Sequence, residues 1–295
     1  MAGRSFTILE APSILGLVSA GVDTLPDALL RAGLADRLGA SRAGRVEPPR
    51  YNPERDPETQ LLNPHGLAEF AVSLADRLGG LLDGDAFPIV LGGDCSIVLG
   101  CLLALRRRGR YGLLFVDGHA DFYQPEAEPN GEAASMDLAL ATGRGPSIVT
   151  NIEGRGPLVR DADVVVFARR DAEDAEQHGS QRIEDTPIHM MELDAVRAAG
   201  ADVAAARAVG RLSASALDGF WIHVDADVLA DEVMPAVDYR MAGGLSWDEL
   251  AAVLRVGLAS GRAVGLDVTI FNPHLDRDGR IAQGFADALV RGLST

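Results

Sequence analysis

The chain contains no lysine, and all 27 of its basic side chains are arginine. That absence excludes Schiff-base chemistry and the lysine of a phosphate-binding P-loop. Cysteine is nearly as scarce: Cys95 and Cys101 are the whole complement, too few for a disulfide framework, and no secretion signal is read at the N-terminus. No apolar run approaches the roughly 20 residues that span a bilayer. A cytoplasmic protein with no membrane partner is the expectation. Positive charge is outnumbered, with 43 acidic residues leaving a formal charge of −16. Such a field repels a polyanion, which excludes nucleic acid as a partner. Internal repeats and low-complexity tracts are also missing. What is present is a globular balance, 47% apolar and 24% charged over 295 residues, with ample material for a core.

Short apolar runs recur at 6–9, 87–91, 111–116, 164–168, 188–191, 220–224 and 263–268. Apolar at nearly every position and closed by Gly- or Asp-rich turns, they suit strands covered on both faces. Ala/Leu-rich amphipathic segments at 66–82, 97–108, 193–200 and 247–260 separate them. The alternation predicts an α/β fold in three layers, α/β/α, around a mostly parallel central sheet. Helix starts are legible at Thr24, before Leu25-Pro26, and at Ser246, three residues before Glu249 in a capping-box arrangement. The stretch 40–63 is rich in Pro, Arg and Asn without periodicity and reads as a long surface loop. A second loop is expected at 125–135. One domain spanning 1–295 is the simplest account.

Four polar clusters follow predicted strands: Gly92-Gly93-Asp94-Cys95-Ser96, Asp117-Gly118-His119-Ala120-Asp121, Asp225-Ala226-Asp227 and Asn272-Pro273. In a parallel sheet these strand ends share one edge, where ligands bind. Five carboxylates and an imidazole gathered there would repel one another without a cation. Carboxylate with imidazole suits Mn²⁺ or a similar first-row divalent ion.

Taken in order, these motifs resemble those of the ureohydrolase family, which includes arginase, agmatinase, guanidinobutyrase and formiminoglutamase. That family carries Gly-Gly-Asp-His-Ser, Asp-x-His-x-Asp, Ser-x-Asp-x-Asp, Pro-Gly-Gly-Leu and Glu-x-Asn-Pro. This chain offers Gly92 to Ser96, Asp117 to Asp121, His223-Val-Asp225-Ala-Asp227, Ala242-Gly-Gly-Leu245 and Ile270-Phe-Asn272-Pro273. The segment from Gly21 to Arg31 resembles the family's opening. The resemblance implies an arginase-like sheet of about eight strands and a trimeric or hexameric homo-oligomer acting on a small molecule. It implies one ion on Cys95, Asp117, Asp121 and Asp225, and a second on Asp117, His119, Asp225 and Asp227. A hydroxide formed between the ions would attack a guanidino, amidino or formimino carbon and release an amine or ammonia. Asp121 and His119 are the catalytic side chains in that scheme. Asn130, Glu173, Tyr123 and Arg240 are the expected substrate contacts.

Three positions depart from the family pattern. Cys95 stands where most members have a histidine, and reads either as a small buried hydrophobe or as a thiolate ligand. A thiolate suits Zn, Fe or Co, with Ni also open, better than Mn; if Cys95 does not bind, a single-ion site remains. Ala134 occupies the place of a proton-shuttle histidine, with Glu132, Tyr123 and His178 as the nearby substitutes. Ile270 replaces the glutamate that meets a guanidinium, which counts against plain arginine as substrate. A single-ion amide deacetylase-like hydrolase and a catalytically inactive relative are the alternatives.

Overall fold

The computed structural model describes residues 5–18, 21–172, 179–213 and 216–294. Eight strands run in chain order: β1 Phe6–Ala11, β2 Ser41–Arg45, β3 Phe87–Gly92, β4 Tyr111–Val116, β5 Val164–Arg169, β6 His189–Glu192, β7 Gly219–Asp225 and β8 Ala263–Thr269. They form one sheet in the order β2-β1-β3-β8-β7-β4-β5-β6, and every pairing is parallel. The expected sheet of about eight strands is present. Seven of the strands fall on the apolar runs of the sequence.

The eighth corrects the reading of 40–63 as loop throughout. Residues 41–45 have the sequence SRAGR and are mostly exposed, so no apolar signal marks them. Their pairing comes from the backbone of β1, Thr7 opposite Ser41 and Ile8 opposite Arg42. Arg42 and Arg45 anchor the edge through the buried Glu10, at 2.5 and 2.6 Å. Charged side chains on an edge strand also discourage pairing with another chain.

Successive strand residues point to opposite faces, and each face buries its own core. Leu113 and Phe115 pack with the helices Pro64–Leu82 and Val98–Arg106. Leu114 and Val116 pack with Ala201–Ser213, Trp247–Ala259 and Arg280–Leu293. Burying each such Leu or Phe contributes about 1.5–3 kcal/mol. The capping box forms as expected: Ser246 Oγ accepts from Glu249 N at 3.3 Å, and Glu249 accepts from Ser246 N at 2.7 Å. Thr24 does precede a helix, Leu25–Arg31, but does not cap it; its hydroxyl donates back to the Gly21 carbonyl at 2.7 Å.

The sheet order decides where the polar clusters meet. β3 and β4 are consecutive in sequence, yet β8 and β7 lie between them. The loops leaving β3, β8, β7 and β4 therefore stand side by side at the carboxyl edge. Among the described residues, no helix is long and apolar enough to cross a membrane.

Candidate metal centre

The exit of β3 is pinned before it reaches the site. A Cβ on Gly93 would lie 1.7 Å from the Ser13 carbonyl oxygen, so only glycine fits the crossing with the β1 exit loop. Asp94 then accepts from the Ser13 hydroxyl, Gly16 N and Ser96 N, at 3.1, 3.2 and 2.9 Å. These bonds deliver Cys95 into the core. Its Sγ lies 2.8 Å from Asp225 Oδ2, to which the thiol donates, and 3.1 Å from Thr269 Oγ1.

From β4, Asp117 enters fully buried, with Oδ1 accepting from His119 N at 2.7 Å. From β7, Asp225 Oδ1 accepts from Asp227 N at 2.6 Å, and Asp227 Oδ1 accepts from Gly118 N at 3.2 Å. His119 Nδ1 lies 2.8 Å from Asp227 Oδ2. β5 braces the β4 loop: Arg169 holds Asp171 at 2.6 Å, and Asp171 accepts from Ala120 N at 3.1 Å. Asp121 takes a left-handed conformation, φ 44°, which aspartate tolerates better than most residues.

Two groups of donors result among the described residues. Cys95, Asp117, His223 and Asp225 each offer an atom within 4.8 Å of the others, and so do Asp117, His119 and Asp227. Asp117 belongs to both groups. Asp121 falls outside both but lines the cavity above them, with His119, Asp225 and Asp227.

Without a cation the cluster is electrostatically overloaded. Burial, followed by the charges of Asp121, Asp225 and Asp227, holds the Asp117 carboxyl well above the usual range. Asp225 is pushed up to about 7, by burial and then by Asp227. The Cys95 thiol is also raised, by burial and then by Asp225. Burial would lower His119, but the charge of Asp227 and the bond to it outweigh that and raise it to about 9. Asp227 is correspondingly depressed, its burial outweighed by His119. Asp117 Oδ2 and His223 Nε2 are buried without a hydrogen-bond partner. Positive charge is what this donor set lacks, and carboxylate, imidazole and thiol together fit a divalent cation.

The cavity above has a volume of about 300 Å³. Tyr123 and Asn130, the expected substrate contacts, line this cavity, and so do Ile270 and Ala134. Arg240 does not reach it: its guanidinium is bonded to Asp231 at 2.5 and 2.7 Å on the surface. The neighbouring Tyr239 lines the cavity instead, donating to the buried Glu132, which also accepts from Val18 N at 2.7 Å. Glu173 and His178 lie outside the described residues.

Sequence reasoning missed three groups. Asp137 is fully buried beside the Asp121 carboxyl, and neither of its oxygens meets an N–H group. Asp267 accepts from Trp221 Nε1 and from His223 Nδ1, the latter at 2.6 Å. His223 stands in the sequence only as the first residue of the His223-Val-Asp225-Ala-Asp227 motif. Its signal was the imidazole itself, two residues before Asp225 and hence on the same strand face.

A family model described as the Arginase family matches residues 6–294. The chain is 27% identical over 288 residues to an arginase of Staphylococcus aureus (strain COL), covering 95% of this chain and 94% of that protein. Its structure is similar to native arginase from Bacillus caldovelox, with a TM-score of 0.89 at 24% identity over 99% of each chain. It is also similar to proclavaminate amidino hydrolase from Streptomyces clavuligerus, with a TM-score of 0.71 at 18% identity over 99% of this chain and 91% of that one.

Proposed function

Since the chain belongs to the arginase family, we propose that it hydrolyses a C–N bond of a guanidino, amidino or formimino small molecule. The observation that carries this reading is the gathering of Asp117, Asp225, Asp227 and His119 around an unpartnered carboxylate oxygen under a cavity. A divalent ion bound there supplies Lewis-acid activation of water and substrate. Two ions fit the donors, with manganese suited to the His119 side.

The chain's own residues do the remaining work. The backbone N–H groups of His119 and Asp227 fix the rotamers of Asp117 and Asp225, each through one oxygen. His119, partly open to the cavity, lies 2.8 Å from Asp227 through Nδ1, and that nitrogen would have to be free of its proton to hold a cation. Asp121, its carboxyl raised by burial and then by Asp137, is placed to hold the proton that water loses. Tyr123 and Asn130 orient the substrate, while Leu17 and Ile270 exclude water from the cavity. Ile270 offers no carboxylate to a guanidinium, which favours a substrate other than plain arginine. The family reading also expects a cytoplasmic homo-oligomer.

Elemental analysis of protein purified without chelator is expected to give two divalent ions per chain, with the inner one lost in Asp225→Ala and both lost in Asp117→Ala. A panel of guanidino, amidino and formimino compounds should then include one that releases urea or ammonia. One ion, unaffected by Cys95→Ala, would reduce the reading to a single-ion hydrolase. Failure to bind Mn, Co, Ni or Zn would overturn it and leave a non-catalytic relative.

A further inference from the structure

Trp221, His223 and Asp225 occupy alternate positions of β7 and share one face of the sheet. His223 is fully buried there. Phe115 of β4 is its register partner on one side and Asp267 of β8 on the other. The Phe115 ring stacks on the imidazole at 4.6 Å and 17°. Asp267 takes the Trp221 indole N–H on one oxygen and faces His223 Nδ1 at 2.6 Å with the other. With Nδ1 committed to Asp267, Nε2 is the ring nitrogen left to meet the polar cluster.

That nitrogen points to the Cys95, Asp117 and Asp225 group. It meets no hydrogen-bond partner, and 4.0 Å away Asp117 Oδ2 meets none either. Two facing orphans are costly, since neither recovers inside the protein the hydrogen bonds it gave up to water. Their separation is too long for a hydrogen bond. A tetrahedral cation with bonds of about 2.0–2.2 Å would hold the two atoms about 3.4 Å apart, so a closure of about 0.6 Å brings both into one coordination shell. A histidine retained only for packing would have its second nitrogen satisfied or solvated, and this one is neither. The carboxylate behind Nδ1 is the outer partner that metal-bound histidines use to fix their tautomer. The sequence carries a matching exchange: Cys95 stands at a histidine position of the resembling motif, and His223 at a serine position.

We propose that His223 Nε2 is a metal ligand, joining Cys95, Asp117 and Asp225 around the inner cation, and that this sulfur-and-imidazole set selects zinc, or a comparably soft divalent ion, over manganese. The inference rests on the cation-binding reading above. It makes the two halves of the centre chemically unequal, with the outer half on Asp117, His119 and Asp227 left to a harder ion.

The test is spectroscopic and needs no turnover. Wild-type protein loaded with Co²⁺ is expected to show a thiolate charge-transfer band. It should also show a paramagnetically shifted, slowly exchanging imidazole N–H whose contact to the Phe115 ring assigns it to His223. Cys95→Ala should abolish the band and keep the resonance, whereas His223→Ser should abolish the resonance. Asp267→Asn should weaken zinc binding about 10–100-fold, with circular dichroism confirming the fold. In competition dialysis the double variant Cys95→His/His223→Ser should move the zinc-to-manganese preference toward manganese by about tenfold or more. Zinc affinity and spectra unchanged in a folded His223→Ser, or a wild-type spectrum without a shifted N–H, would overturn the inference while two bound ions left the hydrolase reading intact. No ion bound to wild type would instead overturn the hydrolase reading itself.

Discussion

Ile270 directly follows β8 with φ 67°, a left-handed conformation that a β-branched residue adopts only under constraint. The constraint is visible: its N–H donates to the Gly93 carbonyl at 2.9 Å, and Asn272 N donates to Ala236 O at 2.8 Å. The side chain is thereby presented to the cavity regardless of its chemistry, so Ile270→Glu should place a carboxylate there without rebuilding the site. Hydrogen bonds to charged groups contribute about 1.5–3 kcal/mol. The variant is therefore expected to lower KM for cationic guanidino compounds by tenfold or more, measured as urea release. Gly93 is the opposite case, a position where chemistry is dictated. Gly93→Ala drives a methyl into the Ser13 backbone and should cost more than about 3 kcal/mol in urea unfolding. The carboxylates around the cation pocket were legible as motifs. The contribution of His223 was not, because it depends on Asp267 standing opposite it in the sheet, and a register is not written in either strand alone.

Among the elements, legibility followed burial. β4, β5 and β7 are apolar on both faces because helices cover both faces, and their sequences read as strands. β2 reads as loop because it lies at the edge and owes its pairing to β1. The helix Trp247–Ala259 was legible from its first turn, and Ser246→Ala should cost about 1 kcal/mol by loss of that cap, seen as a lower urea midpoint with unchanged slope. The β5 exit carries more. Arg169 and Asp171 are both buried, and Arg169 also holds Glu184 at 2.7 Å, so removing Asp171 leaves the guanidinium on its outer partner alone. Asp171→Ala is expected to destabilise by about 1.5–3 kcal/mol through the lost charged hydrogen bonds. It also frees Ala120 N, so the loop carrying Asp117, His119 and Asp121 loses its brace, and bound metal per chain should fall with stability.

For the molecule as a whole, the cluster of like charges at the carboxyl edge opposes folding until a cation joins it. A ligand that binds only the native state stabilises by about 4 kcal/mol at a thousand times its Kd. Chelator-treated protein is therefore expected to melt at least about 5 °C below protein resupplied with divalent metal, in calorimetry at matched ionic strength. An identical Tm in both would mean that the cluster takes up no cation.

The interleaved sheet order also fixes when the centre can exist during synthesis. Cys95 leaves the ribosome early, but its two contacts, Asp225 and Thr269, lie 130 and 174 residues further along. β3 cannot acquire its neighbour β8 until the last strand has emerged. A nascent chain halted after β4 carries Cys95, Asp117, His119 and Asp121 with no β7 to complete either group. Metal capture is then a late event, and a truncated or stalled chain should leave the cell's metal pool untouched.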